Sequence, residues 1–181
     1  CGMQKTEAIK ATGHTWGSWE TTAEATVFQP AAQERQCASC QEKETRTTGK
    51  TLTPTMELSA SSIPLKVKQK TSAITVSGLA KGDSVSSWKS SNTKIVKVTG
   101  TSDGTCTITA MNRTGSAKIT VTLKSGLSKK ITVKVQKGTV KTKSLSGVKK
   151  RLTLEKGERL TLTPIRKPLT SQEKTTYTSS D

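Results

Sequence analysis

Cys37-Ala38-Ser39-Cys40 is the densest piece of chemistry in the chain. Two thiols at this spacing form half of a tetrahedral zinc site or close a small disulfide loop. A zinc site needs two further donors. His14, the only histidine, and Cys1 can supply them, so Cys1, His14, Cys37 and Cys40 form one candidate metal set. No βαβ pattern surrounds the pair, which argues against thioredoxin-like redox catalysis. Trp16 and Trp19 follow His14 closely and are candidate ligand-stacking residues. The surrounding segment is short and polar, so a metal or disulfide staple would compensate for a core it cannot build.

Other site chemistry is sparse. One histidine cannot furnish a Ser/His/Asp constellation that rises above chance, and the seven acids of residues 51–181 form no paired-carboxylate pattern. Glycine-rich phosphate loops are absent. The sequence therefore reads as non-enzymatic. Residues 1–50 carry six Lys/Arg and six Asp/Glu, so the net charge of +17 lies in residues 51–181. Lysines there alternate with apolar residues, as in Leu65-Lys66-Val67-Lys68 and Ile131-Thr132-Val133-Lys134-Val135. In a strand this sends lysine to solvent and discourages edge-to-edge pairing. A polyanion surface is the sharper alternative, but lysine rather than the bidentate arginine predominates. No apolar run reaches the roughly 20 residues of a membrane-spanning helix.

The elements that must position these residues are strands. Runs at Met56–Leu58, Ile63–Val67, Ala73–Val76, Val85–Trp88, Ile95–Val98, Cys106–Ala110, Ala117–Leu123 and Lys130–Val135 are separated by turn signals. Lys124-Ser125-Gly126-Leu127 reads as a hairpin turn. Pro64 places its strand at an edge or at a switch between sheets. The reading is all-β: an Ig-like sandwich, with Trp88 as central core plug and Cys106 and Ile108 pointing inward. Ser87-Trp88-Lys89-Ser90-Ser91-Asn92 returns as Thr176-Tyr177-Thr178-Ser179-Ser180-Asp181. This suggests a repeat and three parts: a small irregular or β connector (1–50), a complete sandwich (51–137), and the N-terminal half of a second sandwich (138–181). A truncated half lacks a partner sheet, so residues beyond about Gly138 should be loosely ordered, as in a segment cut from a longer repeat protein.

Residues 55–137 resemble the bacterial Ig-like domain of group 2. The matching residues are Val85-Ser86-Ser87-Trp88-Lys89-Ser90-Ser91-Asn92, Ile95-Val96-Lys97-Val98, Ile108-Thr109-Ala110, Thr114-Gly115-Ser116-Ala117 and Ile119-Thr120-Val121. The resemblance implies an extracellular module of a bacterial cell-surface protein, used in arrays as a stalk for adhesion, with neighbouring Ig-like modules as its partners. It names no ligand. The alternative is a binding module proper, taking a host glycoprotein, an immunoglobulin or a glycan through Trp16 and Trp19 or a sandwich loop. Neither specific nucleic-acid binding nor membrane insertion is expected of this segment.

Residues 1–50 resemble the short Cys/His/Trp repeats that precede Ig-like modules in Firmicutes surface proteins. In the fuller pattern a Cys stands where this chain has Val27, and a His stands where it has Lys50 after Gly49. With those donors missing, and with the oxidising setting that an extracellular place implies, a Cys37–Cys40 disulfide or free thiols is preferred. No cofactor is expected, with zinc as the second reading.

Overall fold

The computed structural model describes residues 13–179. The chain divides into two compact units, Cys1–Thr53 and Pro54–Asp181, and every regular element among the described residues is a β-strand.

In the first unit β1 (Glu20–Ala23), β2 (Ala31–Gln36) and β3 (Lys43–Thr48) form an antiparallel meander. Its strands are polar, and Cys37 is the one fully buried apolar side chain among its described residues. Cohesion comes instead from cross-strand pairs. Arg35 faces Glu44 and Gln33 faces Arg46 in register, and each pair is hydrogen-bonded, at 2.6 Å from Arg35 Nε and 3.0 Å from Arg46 Nε. Opposite pairs of this kind are the unit of sheet stabilisation where no core exists.

The second unit is a sandwich. Its strands are β4 (Glu57–Leu58), β5 (Ser62–Lys66), β6 (Lys70–Thr71), β7 (Val76–Ser77), β8 (Val85–Ser90), β9 (Val96–Gly100), β10 (Cys106–Ala110), β11 (Gly115–Leu123) and β12 (Ser128–Gln136). One sheet has the order β5-β12-β11-β8 and the other β6-β10-β9, with β4 and β7 paired beside it. The alternation seen in the sequence becomes the burial pattern. Ile131, Val133 and Val135 of β12 are buried between exposed residues, and Ala117, Ile119, Val121 and Leu123 of β11 face the same core. Ile63 and Leu65 complete that sheet's inner face, and Ile74, Val76, Val96, Cys106, Ile108 and Ala110 supply the opposing layer. The β11–β12 turn closes with Leu123 accepting from Gly126 and donating to Leu127, and Gly126 takes the left-handed φ of 90° that the tight reversal requires.

The first sheet contains one parallel pair. β5 runs alongside β12 in register from Ser62↔Thr132 to Lys66↔Gln136. Pro64 sits in this edge strand, where its missing donor costs nothing.

Trp88 lies at the margin of the core rather than plugging its centre. It is half-buried on β8, the edge strand, and its ring covers Gly100 of β9, where a Cβ would sit 2.3 Å from the indole. Its Nε1 donates to the carbonyl of Thr101 at 3.3 Å. A bulge explains how Val85 and Trp88, an odd number apart, both reach inward. Leu123 faces Val85 but Thr122 faces Ser87, so Ser86 is the extra residue. The centre of the sandwich is aliphatic.

Beyond β12, β13 (Ser144–Ser146) pairs with β14 (Ile165–Lys167). Val140 and Thr170 are buried, Leu169 packs against the sandwich core, and Thr170 Oγ1 donates to the Pro64 carbonyl. Gln69 Nε2 donates to the Thr170 carbonyl at 2.8 Å. Residues 148–164 join no sheet, and Leu152, Leu154, Leu160 and Leu162, as well as Tyr177, are exposed.

Candidate metal centre

Cys37 and Cys40 stand in the loop between β2 and β3. The loop closes where Cys37 N–H donates to the Glu42 carbonyl at 2.8 Å and Gln41 N–H donates to the Cys37 carbonyl at 3.0 Å. Gln41 has φ 65°, a left-handed conformation uncommon for a side-chain-bearing residue. This turn aims backbone N–H groups at sulfur: those of Cys40 and Ser39 at Cys37, and that of Glu42 at Cys40. Concavities of successive N–H groups favour anions, here thiolates.

The strand-like stretch around Trp16 delivers the histidine. Trp16 bridges Cys37 in antiparallel sense, Gly17 N–H donates to the Gln36 carbonyl at 3.0 Å, and Ala38 N–H donates to the Thr15 carbonyl at 2.9 Å. That register carries His14 past Ala38 toward Cys40, with Nδ1 3.2 Å from Cys40 Sγ. One ligand atom each from His14, Cys37 and Cys40 all lie within 4.8 Å of one another. On the far side of the ring, His14 Nε2 is 3.3 Å from Glu42 Oε2. Cys1 of the expected set lies outside the described residues.

The two thiols differ electrostatically. Cys37 is held down to about 6, first by the Cys40 N–H, then by that of Ser39 and by the His14 and Cys40 side chains, against an opposing desolvation. Its sulfur has no exposed surface, yet these donors outweigh the loss of hydration. Cys40 is pushed up. The Glu42 N–H favours its thiolate, but the Cys37 sulfur, lost hydration and the charges of Cys37 and Glu42 prevail. Cys37 and Cys40 are thiols here, not joined to each other.

Trp16 and Trp19 do not offer bare faces. The Arg35 guanidinium lies 4.8 Å from the Trp16 ring centre and 4.6 Å from that of Trp19, and Arg46 lies 4.0 Å over Trp19. The His14 ring packs on Trp16 at 4.8 Å between centroids. The result is an alternating stack of aromatic and cationic side chains. Sequence reasoning singled out the tryptophans but not Arg35 or Arg46, whose pairing depends on the β2–β3 register.

Of the other residues marked by their sequence context, Ile108 and Cys106 are buried on β10. Cys106 Sγ lies 3.5 Å from the Ile74 carbonyl, and burial pushes its thiol up to about 11. On β12, Lys130 and Lys134 point to solvent, whereas Lys129 Nζ donates to the Met56 carbonyl. No helix among the described residues is long and apolar enough to cross a membrane.

No protein-family model and no curated protein matches the chain. Among solved structures it is similar to domains of the S-layer protein SbsC. Against the 31–844 structure the identity is 19% with a TM-score of 0.41, covering 64% of this chain and 18% of that one. Against domains 4–9 the identity is 18% with a TM-score of 0.43, covering 67% and 20%. The chain thus spans a fifth or less of these longer S-layer chains.

Proposed function

We propose that this chain is a non-catalytic segment of a bacterial cell-surface protein, in which the Ig-like sandwich acts as a load-bearing stalk or adhesion module. One observation carries the reading: the parallel pairing of β5 with β12. After the short β4, the chain enters the four-stranded sheet along β5 and leaves it along β12. Tension between those ends therefore slides the two strands past each other instead of peeling them apart. All bonds of the ladder share that load, including Thr132 N–H to the Ser61 carbonyl and Val67 N–H to the Gln136 carbonyl, both at 2.9 Å. The resemblance of residues 55–137 to group 2 bacterial Ig-like domains supports an extracellular place. The guanidiniums over Trp16 and Trp19 occupy ring surface that the competing glycan-stacking role would need.

Single-molecule pulling tests this. Stretched from the start of β5 and the end of β12, the sandwich should open in one step, releasing roughly 20–25 nm of chain. The force should be well above that needed when the handles sit at the start of β11 and the end of β12, where bonds break one at a time. Equal forces in the two geometries, or gradual lengthening, would remove the load-bearing role. Salt-resistant binding of one host glycoprotein, immunoglobulin or glycan would replace it with the receptor reading.

A further inference from the structure

We propose that His14, Cys37 and Cys40 hold one zinc-class divalent ion, with Glu42 orienting the histidine and water at the fourth corner. This stands apart from the stalk reading. Tetrahedral zinc, with Zn–S about 2.3 Å and Zn–N about 2.0 Å, places sulfurs roughly 3.8 Å apart and sulfur and nitrogen roughly 3.5 Å apart. The three donor atoms already lie within 4.8 Å of each other, and Nδ1 is 3.2 Å from Cys40 Sγ, so ligation needs only small adjustments.

The outer partners fit as well. A ligating imidazole commonly donates its other N–H to a carboxylate, which fixes the tautomer and ring orientation. With Nδ1 on the metal, Nε2 carries the proton and faces Glu42 Oε2 at 3.3 Å. The backbone N–H groups aimed at both sulfurs satisfy lone pairs that the metal does not use. Two thiolates and an imidazole select zinc over magnesium or calcium, which take oxygen ligands. His14 and Cys40 are exposed, so the fourth corner opens to solvent. A structural need exists too, since Cys37 is the only fully buried apolar side chain among the described residues of this unit. A metal tying residue 14 to residues 37 and 40 would close the chain where burial cannot.

The test uses the full chain, reduced and then freed of reductant. Native mass spectrometry with zinc should find one ion per chain. Co(II) should give the visible bands of a tetrahedral thiolate site, and zinc should bleach them. Bound zinc should protect Cys40 from alkylation. C40S and H14Q should lose the Co(II) bands, C106S should keep them, and E42Q should keep the bands but bind about tenfold more weakly. The wild-type spectrum decides even if a variant misfolds. Absence of metal uptake by the reduced chain would overturn the proposal. So would uptake unchanged in C40S and H14Q, or recovery of a Cys37–Cys40 disulfide under excess zinc.

Discussion

Cys37 has no solvent-exposed surface, yet the backbone N–H groups of Cys40 and Ser39 favour its thiolate against the loss of hydration. Its pKa falls from 9.0 to about 6 on folding. For a group whose folded value is depressed, the thiolate stabilises the fold fully above the unfolded value of 9.0 and loses that effect as pH falls through about 6. Because the two thiols are coupled, the first proton belongs to the pair. In the metal-free, reduced protein, ultraviolet thiolate absorbance should therefore rise in a step near pH 6 that C37S lacks. Thermal stability of the first unit should fall as the pH drops through the same step. The residue types of this site were readable from the sequence, because few side chains bind zinc and His14 is unique. Glu42 was not, since its role depends on the loop bringing it under the imidazole.

Among elements, the stack of Trp16, Arg35, Trp19 and Arg46 does the work that an aliphatic core does elsewhere. Arg35 contacts both rings and pairs with Glu44 through Nη2 at 2.6 Å. A cation over an aromatic ring is worth about 0.5–1 kcal/mol when exposed and about 2 when desolvated. R35A should thus destabilise the first unit by roughly 1–3 kcal/mol, moving the Trp16 and Trp19 indole NMR signals toward unfolded positions and leaving that of Trp88 in place. R35K should recover only part, because a compact ammonium cannot stack flat on two rings. The sandwich strands were legible from alternation, since lysine and threonine mark the wet face so regularly. Two features were hidden. The two-residue β6 is too short to carry a period. The bulge at Ser86 shifts the phase of β8, and an edge position is invisible in a strand's own residues, so Trp88 reads as central when it lies at the margin.

At the scale of the whole molecule, order is uneven. The residues of β5 to β12 enclose one continuous core, whereas residues 148–164 contribute no ladder bonds and leave four leucines exposed. Segments with few buried contacts open at little free-energy cost and are cut first by proteases. Brief trypsin treatment should cleave at Lys149, Lys150, Arg151, Lys156 or Arg159 well before the more numerous lysines of the sandwich. Mass spectrometry of the early fragments checks this, and early cuts within β11 or β12 would contradict it. The alternation of leucines in that segment resembles the opening strands of the sandwich. What differs is the opposing sheet, and periodicity within a segment says nothing of whether a partner covers it.

Cys106 gives the sandwich a memory. Folded, its thiol is buried on β10 and pushed up to about 11, so it neither ionises nor meets an oxidant. When β10 separates from the core, the same sulfur becomes an ordinary thiol, able to exchange with any small disulfide in an oxidising medium. The adduct is too large for the site Cys106 left, and overpacking opposes its return. Each opening that lasts long enough is thereby recorded in covalent form. In a stalk under intermittent load, the proportion of blocked Cys106 would integrate the force history of the surface it stands on.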